Sequence, residues 1–342
     1  MADRLRVIIA GTGYFSGFHF DAWSRCPEVE VVGVAGLDSE ALARAATDYD
    51  IPNAFENTEE MLSQVQPDIL DIITPPATHL KLIEAAASRN INVICQKPFC
   101  GSLEAAKTAV RIASDADIQL IVHENFRFQP WYTAIKRELD AGRLGQIYRA
   151  HFRLRPGDGQ GVEAYLERQP YFKKMEKFLV HETAIHLVDV ARFFFGDPNT
   201  ISADLARLNP VIAGEDSAII VMGFEDGVRT VIDGNRLSDH KAENRRRTMG
   251  EVLIEGEKGC LSLSGDGVIS FRRHGENEEA QISYDWNDRG FGGDCVYLFT
   301  RHVVDHFVHD APISNSGQDY LANLEIEEAI YASAEDGQRK SL

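Results

Sequence analysis

Short apolar runs and longer segments of helical periodicity alternate along the first 123 residues. The apolar runs have the length and composition of strands and lie at Val7–Ala10, Val29–Ala35, Ile69–Ile73, Ile91–Cys95 and Leu120–Val122. Segments rich in Ala, Leu and Glu lie between them, at Glu40–Tyr49, Leu80–Ser88 and Leu103–Ser114. Because strands and helices alternate without hairpin signals, residues 1–123 are predicted to form an α/β domain with a doubly wound parallel sheet.

The pattern changes in residues 124–342, which are predicted to form a second domain. A helical segment at Trp131–Ala141 and a strand at Ile147–Leu154 come first. Strands bounded by glycines follow, at Ala218–Phe224, Arg229–Ile232, Glu251–Glu255 and Cys260–Leu263. This part is expected to be an α+β domain with an open, mostly antiparallel sheet. The last helix, Asp319–Asp336, has an apolar stripe and is expected to pack back against the first domain.

A glycine-rich turn follows the first strand, in the stretch RVIIAGTGYFSGFH. Gly11 and Gly13, with Tyr14 and Phe15, lead from the strand into a helix, and backbone N–H groups at such a helix N-terminus hold a dinucleotide pyrophosphate. The spacing departs from G-x-G-x-x-G because Ser16 stands at the third glycine position. A tight strand-to-helix turn without a ligand is the alternative.

The end of the second strand reads Val34-Ala35-Gly36-Leu37-Asp38. An acidic residue here accepts hydrogen bonds from the adenosine ribose and repels a 2′-phosphate. Asp38 suits that role, and it equally suits the N-cap of the helix that starts near Ser39. Since no arginine follows Gly36 directly, NAD is mildly preferred over NADP.

Two further loops follow strands of the same sheet and are expected to meet at its carboxyl edge. The first reads Thr74-Pro75-Pro76-Ala77-Thr78-His79, where paired prolines shape a rigid turn. The second reads Cys95-Gln96-Lys97-Pro98-Phe99. It brings a lysine out of a buried strand, before a proline whose peptide bond is a candidate for the cis form. The predicted cofactor contacts in these loops are Thr74, Pro75, His79, Gln96 and Lys97.

A second cluster of chemical groups lies in the stretch VHETAIHLVD. A zinc-binding H-E-x-x-H motif needs histidines four residues apart, but His181 and His186 are five apart and would point to different sides of a helix. Glu182 and His186 are four apart and would share a face, where a carboxylate raises the basicity of an imidazole. A buried structural pair, or a Glu182 stabilised by the helix dipole, is the alternative.

Together, GTGYFSGFH, TPPATH and QKPF resemble the N-terminal half of the glucose-fructose oxidoreductase/inositol dehydrogenase/MocA family of NAD(P)-dependent oxidoreductases. The resemblance implies a Rossmann domain and an active-site role for Lys97. It also implies catalytic roles for Glu182 and His186, in place of the family's Asp-x-x-x-His, and places Asn125 and Arg127 near substrate and nicotinamide. The chain departs from the family where Gln96 replaces a glutamate and Gly36 replaces an acidic residue.

The resemblance implies hydride transfer between nicotinamide and a sugar, polyol or related hydroxylated small molecule lying between the domains. His186 is expected to act as the base and Lys97 to stabilise the reacting oxygen. Two alternatives remain, an NAD-dependent glycoside hydrolase of the same fold and a non-catalytic dinucleotide-binding regulator.

Two other regions carry less defined expectations. The polar segment 155–177 either lines the substrate cleft, with Tyr171 as a substrate contact, or forms an oligomer contact. His302, His306 and His309 share one face of the helix predicted at Tyr297–His309. They are interpreted as a polar or interfacial face rather than as metal ligands, and no metal is expected.

Composition and charge restrict the partners. The net charge of −18 argues against nucleic acid and anionic membranes, and no apolar run approaches the length that a bilayer requires. The five cysteines form no C-x-x-C pair, and the first strand begins too early to follow a signal peptide. A cytoplasmic protein is expected, and the resemblance implies a homodimer or homotetramer assembled through the C-terminal sheet.

Overall fold

The computed structural model describes residues 4–167 and 169–342. The chain forms two compact units, of which the first contains Met1–Asn125 and Asp294–Ala322 and the second contains Phe126–Gly293 and Asn323–Leu342. This grouping differs from the division predicted at 123/124, because a late segment joins the first unit. The helix Cys295–His309 accounts for the difference, since its buried face packs against the first helix of the chain.

The first unit is built on a six-stranded parallel sheet. Its strands are β1 (Leu5–Ala10), β2 (Val29–Ala35), β3 (Ala54–Phe55), β4 (Ile69–Ile72), β5 (Asn92–Gln96) and β6 (Leu120–His123). Its first helices are α1 (Ser16–Ser24), α2 (Ser39–Asp48), α3 (Thr58–Gln64), α4 (His79–Ala87) and α5 (Leu103–Asp115). The strand order is β3-β2-β1-β4-β5-β6, so the winding reverses between β1 and β4. Ligands of such sheets bind outside the carboxyl ends of the strands at this reversal.

The second unit contains a nine-stranded mixed sheet. Its elements are α6 (Pro130–Asp140), β7 (Ile147–Leu154), a π-helical turn (Leu179–Ala184), α7 (Ile185–Phe195), β8 (Thr200–Ala206), β9 (Ser217–Gly223), β10 (Arg229–Asn235), β11 (Gly250–Gly256), β12 (Gly259–Leu263), β13 (Ile269–Arg273), β14 (Ala280–Ile282) and β15 (Lys340–Ser341). The order is β14-β13-β12-β11-β7-β10-β9-β8-β15. Among the described strand pairs of this nine-stranded sheet, only β7 and β10 are parallel, so the predicted mostly antiparallel sheet is confirmed.

Two more helices complete the chain, α8 (Cys295–His309) and α9 (Gly317–Asp336). α9 was expected to pack on the first domain. Its residues up to Ala322 group with the first unit, where the Tyr320 ring meets the Phe99 ring at a centroid distance of 6.2 Å. From Asn323 onward the helix groups with the second unit.

Residues on the inner face of the nine-stranded sheet alternate with residues on its outer face. Phe152, Ile220, Ile232 and Ile254 point inward and are buried in the core of the second unit with α6 and α7. The strand register aligns a second row on the outer face, Leu253, His151, Val231 and Val221. This face is therefore partly apolar although it lies outside the core. Among the described helices, none is both long enough and apolar enough to cross a bilayer.

Candidate active site

The turn after β1 has the geometry of a phosphate cradle. Gly11 has φ +119°, and a Cβ there would lie 2.8 Å from the carbonyl carbon of Ile73, so only glycine fits against the end of β4. A Cβ at Gly13 would meet no described atom within 4 Å. The turn is thus tightly packed on one side and open at Gly13, where a ligand can approach the backbone.

The N-terminus of α1 is available to an anion. No described side chain caps it at Phe15. Ser16, the departure from the third glycine, is buried, and its hydroxyl donates to the Gly13 carbonyl oxygen at 2.6 Å. The serine therefore tightens the turn without filling its open side. An open cradle and a helix N-terminus without a side-chain cap suit a dinucleotide pyrophosphate, so these residues fit the cofactor.

The missing acidic residue at the end of β2 has a steric cause. A Cβ on Gly36 would lie only 2.4 Å from Thr12 Oγ1, so the turn after β1 occupies the space that a larger residue needs. Asp38 caps α2, because its Oδ1 accepts from the N–H groups of Glu40 and Ala41 at 3.0 Å each. The interpretation of Asp38 as the N-cap of α2 is therefore confirmed. The other carboxylate oxygen of Asp38, Oδ2, makes neither of these two bonds.

The loop Thr74–Thr78 is held from below by His79. The His79 side chain is fully buried, with Nε2 2.7 Å from the Thr74 carbonyl oxygen and Nδ1 3.4 Å from the Cys100 N–H. Burial lowers the pKa of His79 to about 4, so the ring is neutral and donates to Thr74 while accepting from Cys100. His79 was predicted as a cofactor contact, but its position is that of a clamp between the loops after β4 and β5.

Lys97 follows directly after β5, and its peptide bond to Pro98 is cis. Gln96 is buried beneath it, 8% exposed, and its Oε1 accepts the Lys97 N–H at 2.7 Å. Tyr14 is 57% exposed beside the turn after β1, where its ring meets Phe18 edge-on. The predicted groups Gly11, Gly13, Thr74 and Lys97 thus all follow carboxyl ends of neighbouring strands of the first unit.

His186 and Glu182 lie on two successive elements of the second unit. Glu182 belongs to the π-helical turn and His186 to the first turn of α7, so the single regular helix assumed from the sequence is wrong. The His186 ring is 6% exposed and stacks on the Phe126 ring, with centroids 4.0 Å apart and planes 3° apart. Stacking fixes the plane of the imidazole. π-helical turns are rare and frequently occur at functional sites.

A buried carboxylate organises the start of this π-helical turn. Glu215 accepts from the N–H groups of Phe178 and Val180 at 3.0–3.2 Å and from the Tyr331 hydroxyl at 2.7 Å. Burial, followed by the neighbouring Glu215 carboxylate, raises the pKa of Tyr331, so the hydroxyl keeps its proton and donates. Glu215 therefore supplies acceptors that this helix start would otherwise lack.

Arg127 is engaged with the helix that carries His186. Its guanidinium binds Asp189 of α7 through two hydrogen bonds, Nε to Oδ2 at 2.7 Å and Nη2 to Oδ1 at 2.6 Å. Asp189 is completely buried and also accepts from Asn323 Nδ2 at 2.9 Å. The predicted substrate contact thus has a structural partner. Asn125, the other residue of the motif, is 3% exposed at the end of the first unit.

Residues of the described stretches 155–167 and 169–177 surround Arg236. The guanidinium is fully buried, paired with Asp158 at 2.6 Å and 3.0 Å, and donates to the Thr183 hydroxyl at 2.8 Å, next to Glu182. Three rings surround it at 4.8–5.3 Å, Tyr165, Phe172 and Phe178. Burial alone would lower the pKa of Arg236, but Asp158, together with Tyr165 and Glu182, raises it above its ordinary value. Tyr171, the predicted substrate contact, is 53% exposed beside this cluster.

The histidines of α8 support a loop. His302 Nε2 accepts the Ser314 N–H at 3.0 Å, and His306 Nδ1 lies 2.8 Å from the Ala311 carbonyl oxygen. Within residues 4–167 and 169–342, no group of three or more His, Cys, Asp or Glu side chains is arranged to hold a metal ion.

Two family models match most of the chain. The Gfo/Idh/MocA oxidoreductase family, with its NAD-binding Rossmann fold, matches residues 5–124, and its C-terminal domain matches residues 132–262. The chain belongs to this family. The recognition made from the sequence motifs is thereby confirmed, as are the α/β fold and the assignment as an NAD-binding oxidoreductase.

Individual relatives match the chain over nearly its whole length. A D-apiose dehydrogenase from Paraburkholderia graminis is 33% identical over 347 residues, covering 99% of this chain and 90% of the relative. A D-apiose dehydrogenase from Rhizobium rhizogenes is 29% identical, covering 98% and 96%. The crystal structure of an oxidoreductase from Agrobacterium radiobacter in complex with NAD+, L-tartaric acid and magnesium superposes with a TM-score of 0.89 at 28% identity, covering 99% and 98%.

Proposed function

We propose that this protein is an NAD-dependent dehydrogenase that oxidises a hydroxyl group of a sugar, with D-apiose and related aldoses as the substrates to test first. The observation that carries the substrate class is the 33% identity to a D-apiose dehydrogenase across 99% of the chain. The open cradle at Gly13 and the lysine that follows β5 support dehydrogenase chemistry in the first unit.

The chain's own residues would manage the substrate oxygen and its proton. Bound NAD would accept the hydride and leave as NADH, so the alcohol becomes a carbonyl compound and one proton is released. The Lys97 ammonium donates a hydrogen bond to the reacting oxygen and stabilises its developing negative charge. The His186 imidazole, held in plane by Phe126, accepts the hydroxyl proton, and Glu182 orients that base or binds a neighbouring hydroxyl.

We assign NAD rather than NADP as the cofactor. The residues after β2, Gly36 to Ala41, include two carboxylates, Asp38 and Glu40, and no lysine or arginine. The α2 cap occupies Asp38 Oδ1, which leaves the other oxygen to accept from a ribose hydroxyl. A 2′-phosphate would meet like charge there and no cation to offset it.

We also propose a homo-oligomer assembled through the nine-stranded sheet. The outer-face row contains three apolar side chains, and Leu253 is 40% exposed. A row across four neighbouring strands in which three of the four side chains are apolar favours burial against a second copy over lasting exposure to water.

The test is to incubate the purified protein with NAD or NADP and a panel of aldoses and polyols that includes D-apiose. We expect NADH to accumulate with at least one aldose and kcat/KM to be at least about tenfold higher with NAD than with NADP. Cleavage of a nitrophenyl glycoside without net NADH would instead identify a hydrolase. Tight dinucleotide binding with neither reaction would identify a regulator, and either result would overturn the proposal.

A further inference from the structure

A chain of hydrogen bonds runs under the catalytic loop of the first unit and ends on the backbone of Lys97. Asp71 Oδ2 lies 2.8 Å from His19 Nδ1, and His19 Nε2 lies 3.1 Å from Gln96 Nε2. Gln96 Oε1 then accepts the Lys97 N–H at 2.7 Å. His19 and Asp71 are each 1% exposed, and the Trp23 indole N–H donates to the same Asp71 oxygen at 2.8 Å. No step of the proposed chemistry uses these groups.

The Lys97 N–H, the last member of this chain of hydrogen bonds, determines which atom donates and which accepts in each of them. A backbone N–H is always a donor, so the Gln96 atom facing Lys97 must be the amide oxygen. The Gln96 NH₂ group then faces His19 as a donor, and His19 Nε2 has to accept. His19 therefore carries its proton on Nδ1 and donates it to Asp71. One neutral tautomer of His19 satisfies the whole chain.

We propose that Gln96 is the positioning residue of Lys97, and that its amide works only because His19, held by Asp71, offers it a neutral ring nitrogen as acceptor. The proposal rests on the proposed catalytic role of Lys97. Gln96 contacts no reacting atom. It acts by fixing the peptide from which the Lys97 side chain leaves the sheet, and displacement of such a group by about 1 Å costs up to about 10²-fold in rate.

A carboxylate in place of the Gln96 amide would reverse the polarity. An ionised glutamate side chain has no hydrogen to donate, so it would face the His19 lone pair acceptor to acceptor unless His19 took up a second proton. The groups facing His19 include Asp71 from β4, Gln96 from β5, the Phe15 ring at a centroid distance of 5.8 Å, and the ring of His123 from β6 at 4.1 Å. On the far side of His123 is the apolar ring of Phe299 from α8.

The variant Gln96→Glu tests the proposal. We expect its kcat at about pH 8 to fall at least about tenfold while the NAD dissociation constant changes by less than about threefold. Asn92→Asp is the matched control. It makes the same amide-to-acid change at the other end of β5, where Asn92 accepts from the Gln119 N–H, and should leave kcat unchanged.

A second readout depends neither on turnover nor on the folding of Gln96→Glu. The ¹⁵N chemical shifts of the His19 ring in the unmutated protein, assigned by their loss in His19→Asn, should be those of the neutral Nδ1–H tautomer. An Nε2–H tautomer would overturn the proposal, as would an unchanged kcat in Gln96→Glu or an equal loss in Asn92→Asp. If no sugar is oxidised, the proposed function fails. The His19 tautomer still shows which atoms donate and which accept in the hydrogen bonds from Asp71 to Lys97.

Discussion

At the scale of single residues, Thr12 and Gly36 share one small space at the carboxyl edge of the sheet. Thr12 belongs to the turn that contains Gly13, and Gly36 directly follows the neighbouring strand β2. The contact explains why this chain lacks an acidic residue at position 36. It also links the shape of the cradle to a residue that touches no phosphate.

Replacement of Gly36 by Ala should therefore weaken NAD binding. The new methyl group would push Thr12 and with it the open turn, at a cost of about 1–3 kcal/mol, or about tenfold or more in the dissociation constant. The double variant Thr12→Ala/Gly36→Ala should recover most of the loss, because the colliding Oγ1 and Cγ2 atoms are gone. Calorimetric titration with NAD measures both.

Gly101→Ala is the control for this pair, since a Cβ at Gly101 would meet no described atom within 4 Å. Equal affinity in Gly36→Ala and the unmutated protein would contradict the steric account, and so would a failure of the double variant to recover.

At the scale of elements, the loops after β4 and β5 and the turn before α7 are each held by one buried polar side chain. His79 joins the first two loops, and Glu215 holds the π-helical turn that carries Glu182. Loops positioned by such internal bonds keep reactive groups in place although their own backbone lies at the surface.

Acid should destabilise the protein through His79. The pKa of His79 is lowered to about 4 from an ordinary value of 6.5, so between these values the unfolded chain binds a proton that the folded chain excludes. Stability is therefore lost as the pH falls through this window, by about 3 kcal/mol in total from this residue. Urea unfolding should show a smaller loss between about pH 7 and about pH 4 in His79→Gln than in the unmutated protein.

His309→Gln, on the exposed end of α8, is the control and should retain the full pH dependence. Parallel curves for His79→Gln and the unmutated protein would show that His79 is not held neutral.

Loss of the Glu215 carboxylate should disturb the turn before α7. In Glu215→Gln the amide oxygen can take the place of Oε1, which accepts from Phe178, Val180 and Tyr331, but the NH₂ group then replaces Oε2 against the Phe178 N–H, which should cost about 1 kcal/mol in the free energy of unfolding and lower kcat. Glu225→Gln changes an exposed residue of the turn after β9 and should alter neither. An unchanged urea midpoint in Glu215→Gln would refute this role.

The sequence predicted those features that local pattern determines. Val29–Ala35 and Ile147–Leu154 have the predicted bounds because apolar and β-branched runs form strands wherever they are buried. β8 was not predicted, although TISADLA places Thr200, Ser202 and Asp204 on one face of the strand and Ile201, Ala203 and Leu205 on the other. The π-helical turn was missed as well, since a helical period measures spacing and not the extra residue of a π turn.

The supporting residues of the site could not be predicted, because their partners are distant in the chain. His19 lies 77 residues before Gln96, and Arg236 lies 78 residues after Asp158. Isolated His and Arg residues have no periodicity that reveals such partners. The motifs around Gly13, Lys97 and His186 were found because their residue types already indicated chemistry.

At the scale of the whole molecule, the chain folds as two units and returns once to the first of them through residues 294–322. Cys295–His309 contributes buried residues to the first unit, and Arg25 of α1 binds Asp294 through two hydrogen bonds at 2.6 Å and 2.8 Å. A truncation before residue 294 would therefore remove part of the cofactor-binding unit.

The proposed oligomer should depend on the outer face of the nine-stranded sheet. Leu253→Glu places a charge at the end of the apolar row, and we expect the sedimentation mass to fall to that of one 38.1 kDa chain. Val268→Glu lies in the turn before β13, and this control should keep the assembled mass. An unchanged mass in Leu253→Glu would place the interface elsewhere.

The central claim is that Lys97 makes this NAD-binding oxidoreductase a sugar dehydrogenase. The most direct measurement is the rate of NADH formation from NAD and D-apiose or the best aldose of the panel, for the unmutated protein, Lys97→Met and the surface control Lys107→Met. We expect Lys97→Met to lose about 10² or more in kcat with NAD affinity retained, and Lys107→Met to keep its activity. Equal turnover in Lys97→Met and the unmutated protein would contradict the account.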